Sequence, residues 1–236
     1  MGIPAFFRQI VEKYPKTHSP SLTSKIDYFF VDFDPDVMND LKIRCKASEL
    51  YEHINFYVGD SNKIVEKIVD RILKIDSIHL PNKWSSLNLA FIDPEGLEVN
   101  WKTIEILAEP YSMDLIIHYP QMALTRVMPN AIKEIPPTKV DLFFGGNEWR
   151  SIYKKYQTRE DLFVHRKLLD LMKTKLQAIG YQEVLIDDEV DDEPLMRNVK
   201  SAPLYRLIFA SKHPLGHNFW HKVTKRDVSG QKRLPL

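Results

Sequence analysis

The fold prediction starts from Leu87-Asn88-Leu89-Ala90-Phe91-Ile92-Asp93-Pro94-Glu95-Gly96. The apolar first half of this stretch is typical of a strand that is buried on both faces, as in a parallel sheet. Pro94 and Gly96 then end the strand and turn the chain, which leaves Asp93 at the carboxyl end. Ligands bind at that edge of open α/β sheets. We therefore expect Asp93 to face a ligand, with a helix-capping aspartate as the alternative.

Three further segments contain the same kind of apolar run. Like residues 87–92, residues 26–31, 54–58 and 113–118 are rich in aromatic and β-branched side chains, which favours strands. Amphipathic segments with helical periodicity separate the runs. This alternation predicts an α/β fold, a Rossmann-like three-layer sandwich with a mostly parallel sheet.

The second half of the chain has a different pattern. Residues 121–158 contain three prolines and are interpreted as an α-rich insertion. Thr158-Arg159-Glu160-Asp161 resembles a capping box and predicts that the next helix begins there.

The C-terminal quarter predicts a change to antiparallel pairing. Residues 181–186 and 204–210 are expected to form a C-terminal antiparallel hairpin around a solvated acidic loop at 187–193. We interpret residues 1–226, including a terminal helix from about residue 216, as a single domain and residues 227–236 as a flexible tail.

Composition excludes several classes of protein. The net charge of +1 gives no support to nucleic acid as a partner. A single cysteine, Cys45, excludes an internal disulfide framework and favours a cytoplasmic location. No apolar stretch reaches the roughly 20 residues of a membrane helix, so no membrane association is expected.

Carboxylates follow three of the predicted strands. Asp32 and Asp34 come after the first strand, Asp60 and Ser61 after the second, and Asp93 after the third. Because the carboxyl ends of parallel strands meet at one edge of a sheet, we expect these groups to lie at one ligand-binding edge. Carboxylates there accept hydrogen bonds from ribose hydroxyls, which favours a nucleotide-like ligand.

Several longer segments resemble those of one protein family. They are residues 30–35, 58–62, 91–97 with Trp101, 114–120, 142–150 and 203–216, and with their surroundings they extend over about residues 26–221. On these segments the chain resembles the three-Cys-motif partner family (TcmP), whose members are similar to class I S-adenosylmethionine-dependent methyltransferases.

The resemblance implies S-adenosylmethionine as cofactor. Asp32 would bind its ribose and Asp60 would lie beside its adenine, with Asp34 and Ser61 in the same two turns.

The resemblance also implies an acceptor side. Asp93 and Pro94 would lie where such methyltransferases orient the methyl acceptor. His118 stands where the family is expected to have asparagine, and it is the candidate for a base that takes a proton from the acceptor.

One departure from the family concerns the N-terminus. The family begins with a strand and a glycine-rich turn that holds the methionine part of the cofactor, and no such segment precedes Ile26. Residues 3–14 predict the helix that would follow that turn. The chain therefore resembles a member that lacks its first strand and glycine loop, through truncation, a misplaced start or decay. Loss of that central strand would expose the edges of its two neighbours. The alternative function is a catalytically inactive partner or scaffold for a three-Cys-motif protein, itself similar to radical S-adenosylmethionine enzymes.

Other candidate groups have structural interpretations. His213, His217 and His221 recur every four residues, but no nearby carboxylate completes a zinc site, so no metal is expected. Trp101, Trp149 and Trp220 are interpreted as core or interface aromatics. Surface positions are expected for Arg126, Arg150 and Arg197, with contact to a phosphate or carboxylate as the alternative.

Overall fold

The computed structural model describes residues 26–79, 86–94, 96–110, 112–186, 196–197 and 203–214, together with residues 216, 218 and 220. The predicted helix at 3–14, the acidic loop at 187–193 and the tail at 227–236 lie outside these residues. In the described part of the chain, no helix combines the length and apolar character needed to cross a membrane.

Helices and strands alternate in the first half of the chain. The strands are β1 (Tyr28–Asp32), β2 (Ile54–Val58), β3 (Asn88–Ile92), β4 (Met113–Tyr119), β5 (Glu183–Ile186), β6 (Met196–Arg197) and β7 (Pro203–Ser211). The α-helices are α1 (Pro35–Cys45), α2 (Ser61–His79), α3 (Trp101–Leu107), α4 (Gln121–Ala131), α5 (Lys139–Phe144), α6 (Glu148–Gln157) and α7 (Val164–Ala178). The structure is therefore mixed α/β, with three of its helices in the segment predicted to be α-rich.

The described strands form two sheets. β1 and β2 make a parallel pair, and β3, β4, β7 and β5 follow one another in the second sheet, where β6 also pairs with β7. β3 and β4 are parallel, whereas β7 is antiparallel to both β4 and β5. The predicted C-terminal antiparallel hairpin is thus confirmed.

The described strands form one parallel pair and one mixed sheet, where a single mostly parallel sheet was predicted. β1 pairs only with β2, and β3 pairs only with β4 and leaves its other edge without a described partner. No described strand therefore joins the two sheets by backbone hydrogen bonds.

Side-chain packing nevertheless joins the two sheets. Phe29 and Val31 of β1 and Tyr57 of β2 pack against the main core, which contains Ile92 and Leu115 of the second sheet. On the opposite face of the pair, Phe30 and Phe56 stack on each other with ring centroids 6.0 Å apart. The two sheets therefore share one hydrophobic core across the unpaired edges.

The second sheet carries the most deeply buried strand. In β4, Met113, Leu115, Ile117 and Tyr119 are each no more than 3% exposed, and the residues between them are partly exposed. This alternation places Tyr119 on the main-core face and His118 on the opposite face.

The capping box predicted at residues 158–161 is wrong. Thr158 ends α6, and its hydroxyl lies within hydrogen-bond distance of carbonyl oxygens in the preceding turn. Arg159 has a positive φ of 62°, which turns the chain, and α7 begins only at Val164. A true capping box opens α5 instead, between Thr138 and Asp141.

The three tryptophans are buried as predicted, with exposures of 5%, 0% and 5% for Trp101, Trp149 and Trp220.

The surface position expected for Arg150 is wrong. Its Nη2 donates to Asp141 Oδ2 over 2.8 Å, and its Nη1 bonds carbonyl oxygens of the α4–α5 connection. Burial would raise the pKa of Asp141, but hydrogen bonds led by the one from Arg150 lower that pKa far below its usual range.

Candidate functional site

Asp32 and Asp34 form two consecutive turns after β1. Oδ1 of Asp32 accepts the backbone N–H of Asp34 over 2.8 Å, and Oδ1 of Asp34 accepts that of Asp36 over 2.8 Å. Asp34 is the N-cap residue of α1. Its role is therefore explained by capping, whereas Asp32 lies one step earlier, at the strand end itself.

Asp60 and Ser61 lie at the neighbouring strand end. Gly59 donates its N–H to the carbonyl oxygen of Asp32 over 2.8 Å, which brings the two turns together. The φ of Gly59 is +144°, and a β-carbon there would lie 3.1 Å from Cδ1 of Ile64, so only glycine fits easily. Oδ1 of Asp60 accepts from both N and Nδ2 of Asn62, and Ser61 is the first residue of α2.

Asn62 connects this edge to the second sheet. Its Nδ2 donates to the carbonyl oxygen of Glu98 over 2.8 Å. Its Oδ1 accepts the N–H of Asn100 over 2.8 Å and the hydroxyl of Thr103 over 2.7 Å. One amide side chain thereby fixes the turn after β2 to the connection between β3 and α3. Asn62 was not among the predicted site residues, although it lies in one of the segments that resemble the three-Cys-motif partner family.

Asp93 does not cap a helix. α3 begins only at Trp101, with Asn100 in the N-cap position. The carboxylate of Asp93 instead contacts Nδ1 of His118, which belongs to the neighbouring parallel strand. Pro94, next to this pair, is buried. The structure thus brings together all three residues predicted for the acceptor side.

The ring of His118 is held on two sides. Its side chain is 17% exposed, compared with 59% for Asp93, and the ring of Tyr205 meets it edge-on with centroids 4.0 Å apart. A carboxylate on Nδ1 favours the tautomer that carries its proton there and leaves Nε2 as a proton acceptor. The arrangement is therefore suited to take a proton from a bound molecule. No local sequence signal identifies Tyr205, because the contact depends on the pairing of β4 with β7.

An apolar surface accompanies the carboxylates of the first sheet. Phe33, between Asp32 and Asp34, is 79% exposed, and Val58 at the end of β2 is 49% exposed. Exposed aromatic rings of this kind provide stacking surfaces for planar bases.

A second polar cluster lies on the opposite face of β4 from His118. His165 of α7 contacts the hydroxyl of Tyr119 through Nδ1 over 3.0 Å and that of Thr125 through Nε2 over 2.8 Å. Burial, with the nearby charge of Arg206 second, lowers the pKa of His165 to about 4. This cluster was not predicted from the sequence, because its members come from three separate elements without a shared motif.

Metal ligands do not cluster in the described part of the chain, where no group of three histidine, cysteine or acidic residues can hold an ion. His213 is described, whereas His217 and His221 are not. Comparisons of the chain with protein-family models, with curated proteins and with solved structures find no match.

Proposed function

We propose that the chain is a methyltransferase-like protein that binds S-adenosylmethionine, with a Rossmann-like three-layer sandwich as its framework. The observation that carries this proposal is the contact between Asp93 and His118 at the carboxyl end of the parallel strands β3 and β4. A base at that edge needs a ligand-binding surface beside it, and the ends of β1 and β2 offer one.

The residues present fit the adenosine half of the cofactor. Asp32 offers carboxylate oxygens for ribose hydroxyls, and Asp60 offers them for the adenine amino group. Phe33 supplies an exposed ring on which the base can stack. The methionine half has no comparable partner, because the described residues include no glycine-rich turn beside a strand end.

His118 carries the acceptor chemistry in this proposal. S-adenosylmethionine, when bound, supplies an activated methyl group. An oxygen or nitrogen acceptor with a removable proton loses that proton to Nε2 of His118, while Asp93 stabilises the resulting imidazolium. Alignment of the acceptor and the methyl group supplies most of the remaining rate enhancement.

Calorimetric titration with S-adenosylhomocysteine tests the cofactor assignment. The wild-type chain should release or absorb binding heat, and Asp32→Ala should lose most of it. Asp36→Ala, one turn further along the same segment and exposed, is the matched control and should bind as the wild type does. A folded wild-type chain that gives no heat with the ligand would refute the assignment.

A specific observation also favours the alternative, a catalytically inactive partner of a three-Cys-motif protein. Leu89 and Phe91 of β3 are 55% and 59% exposed and lie on the same face as His118. Exposed apolar residues beside an open sheet edge are typical of interaction surfaces. Co-expression of the two proteins should then give a complex that survives gel filtration, and separate elution would argue against it.

A further inference from the structure

The segment around the turn from α6 to α7 has a local excess of positive charge that the net charge of +1 conceals. Residues 154–167 contain two acids, Glu160 and Asp161, and five cations, which are Lys154, Lys155, Arg159, Arg166 and Lys167. All five cations are exposed, and within the described part of the chain none of them makes an ion pair or a side-chain hydrogen bond. A solvated basic surface of this kind attracts polyanions.

The two acids of the segment serve the turn between the helices. Oε1 of Glu160 accepts the hydroxyl of Thr158 over 2.8 Å, and Oδ1 of Asp161 accepts the backbone N–H of Phe163 over 2.8 Å. The backbone N–H groups of both acids donate to the carbonyl oxygen of Lys155, over 2.9 and 3.2 Å, which holds the turn against the end of α6. The acids therefore have a structural role, and their charges offset only part of the positive excess.

The start of α7 departs from what helix stability favours. Its N-cap residue is Phe163, whose side chain is 68% exposed and cannot cap the helix by a hydrogen bond. The first turn contains no acid, and Arg166 and Lys167 place positive charge near the positive end of the helix dipole. Positions that break a local rule without a gain in stability are expected at functional sites. Folding therefore leaves the ring of Phe163 and these two cations unexplained.

Aromatic side chains line a surface cavity of about 410 Å³ in the same segment. Tyr156 and Phe163 belong to its wall, together with Leu162 and Arg166. The ring of Tyr156 packs against that of the buried Tyr153, with centroids 5.9 Å apart, which restrains one side of the cavity. The volume is within the range of small-molecule sites. The cavity thus offers aromatic surface to a planar group that enters from solvent.

Positive charge beside aromatic rings matches the chemistry of a single-stranded nucleic acid. Its phosphates bind lysine and arginine, and its unpaired bases stack on aromatic side chains. A duplex keeps its bases inside, an acidic polypeptide has no bases, and a lipid bilayer does not enter a cavity. We infer that residues 154–167, the α6–α7 surface, bind single-stranded nucleic acid without sequence preference, with Phe163 and Tyr156 as stacking residues and the five cations as phosphate contacts.

Fluorescence anisotropy of the full chain with a labelled oligothymidylate tests this inference. A length of about 12 nucleotides suits the site sizes of known single-strand-binding folds. Binding should be tighter than that of a duplex of the same length and of polyglutamate, because the duplex hides its bases and polyglutamate lacks them. The association constant should fall with salt with a log–log slope of about −2 to −3.5, which corresponds to about three to five contacted phosphates. Vesicles that contain phosphatidylserine should not displace the oligonucleotide.

Two matched pairs of variants locate the contacts. Phe163→Ala should weaken oligothymidylate binding about tenfold, whereas Ile135→Ala, which also truncates an exposed apolar side chain, should leave it unchanged. Lys167→Gln should weaken binding about two- to fivefold and reduce the salt slope by about 0.7. Lys74→Gln, at an exposed position of α2, should change neither quantity. Because all four side chains are exposed, folding should tolerate each substitution.

Several results would overturn the inference. These are no binding of oligothymidylate by the folded wild-type chain at low salt, equal affinity for the duplex or for polyglutamate, displacement by the vesicles, or equal effects of the two variants in either pair. The outcome is independent of the proposed function, because S-adenosylhomocysteine binding depends on Asp32 at the end of β1.

Discussion

The β1–β2 pair and the sheet built around β4 both end in polar side chains, but they hold those side chains by different means. At the end of β1, Asp32 accepts a hydrogen bond from an N–H two residues away. At the end of β4, His118 is held by Asp93, 25 residues earlier, and by Tyr205 on β7. The first arrangement needs only a local turn, whereas the second exists only when the larger sheet is complete.

The two regions also differ in how deeply their strands are buried. Every residue of β1 is only partly buried, whereas alternate residues of β4 are almost wholly enclosed. We conclude that the larger sheet supplies the stability of the fold and that the pair depends on its packing against that sheet.

The largest expected effect is a loss of unfolding free energy that differs between two phenylalanine substitutions. Phe209→Ala removes a fully buried ring of β7 and should lower the free energy of unfolding by about 3–5 kcal/mol. Phe30→Ala removes a partly exposed ring of β1 and should cost about 1–2 kcal/mol. Urea denaturation measures both, and equal losses would contradict the assignment of stability to the larger sheet.

Asn62→Ala should separate the two regions. The variant leaves the N–H of Asn100 and the buried hydroxyl of Thr103 without their acceptor, which should cost about 2–3 kcal/mol. Hydrogen exchange should accelerate in β1 and β2 while β4 and β7 keep their protection. The exposed Asn130→Ala serves as the control, and uniform acceleration throughout the chain would show that Asn62 does not join separate units.

The pH dependence of stability should come from His165 of α7, which contacts Tyr119 of the larger sheet. The pKa of His165 is about 4 in the folded chain, below the value of about 6.5 of an unfolded histidine. Its neutral form is therefore favoured by folding, so the stability is full above pH 6.5 and falls as the pH drops from 6.5 towards 4, by up to about 3 kcal/mol. Unfolding measured at pH 7.5 and pH 5 should show the loss in the wild type and a smaller loss in His165→Gln. An unchanged loss in that variant would assign the effect to another group.

The smallest effect is expected on β3, next to the edge that has no partner among the described strands. Phe91→Ser alters a side chain that is 59% exposed and should change the free energy of unfolding by less than about 1 kcal/mol. The same variant should weaken a complex with a three-Cys-motif protein if this face binds the partner. A large loss of stability would show instead that the ring is covered in solution.

Sequence reasoning identified the elements whose signals are local. The bounds of β2 are as predicted, β4 differs by one residue, and the antiparallel pairing of β5 with β7 is present. The prediction of a capping box at Thr158 was wrong because the same short pattern also fits the end of a helix. The positive φ of Arg159 turns the chain there. The division of the described strands into two sheets was not predicted, because it depends on which strands pair in space.

The candidate site was predictable in its parts but not in its assembly. The alternation of apolar runs with amphipathic segments, together with the turn residues, predicted that Asp32, Asp60 and Asp93 lie at strand ends. The pairing of Asp93 with His118 depends on the register of β3 against β4, and the contact with Tyr205 depends on that of β4 against β7. The Asn62 bridge and the His165 cluster likewise join residues far apart in the sequence, for which a single sequence contains no signal.

The central claim is that the ends of β1 and β2 form the cofactor surface, and hydrogen exchange with and without S-adenosylhomocysteine tests it most directly. We predict slower exchange in residues 33–37 and 60–64, a smaller effect in residues 98–103 transmitted through Asn62, and no change in β5. Protection confined to other parts of the chain, or none at a saturating ligand concentration, would contradict the account.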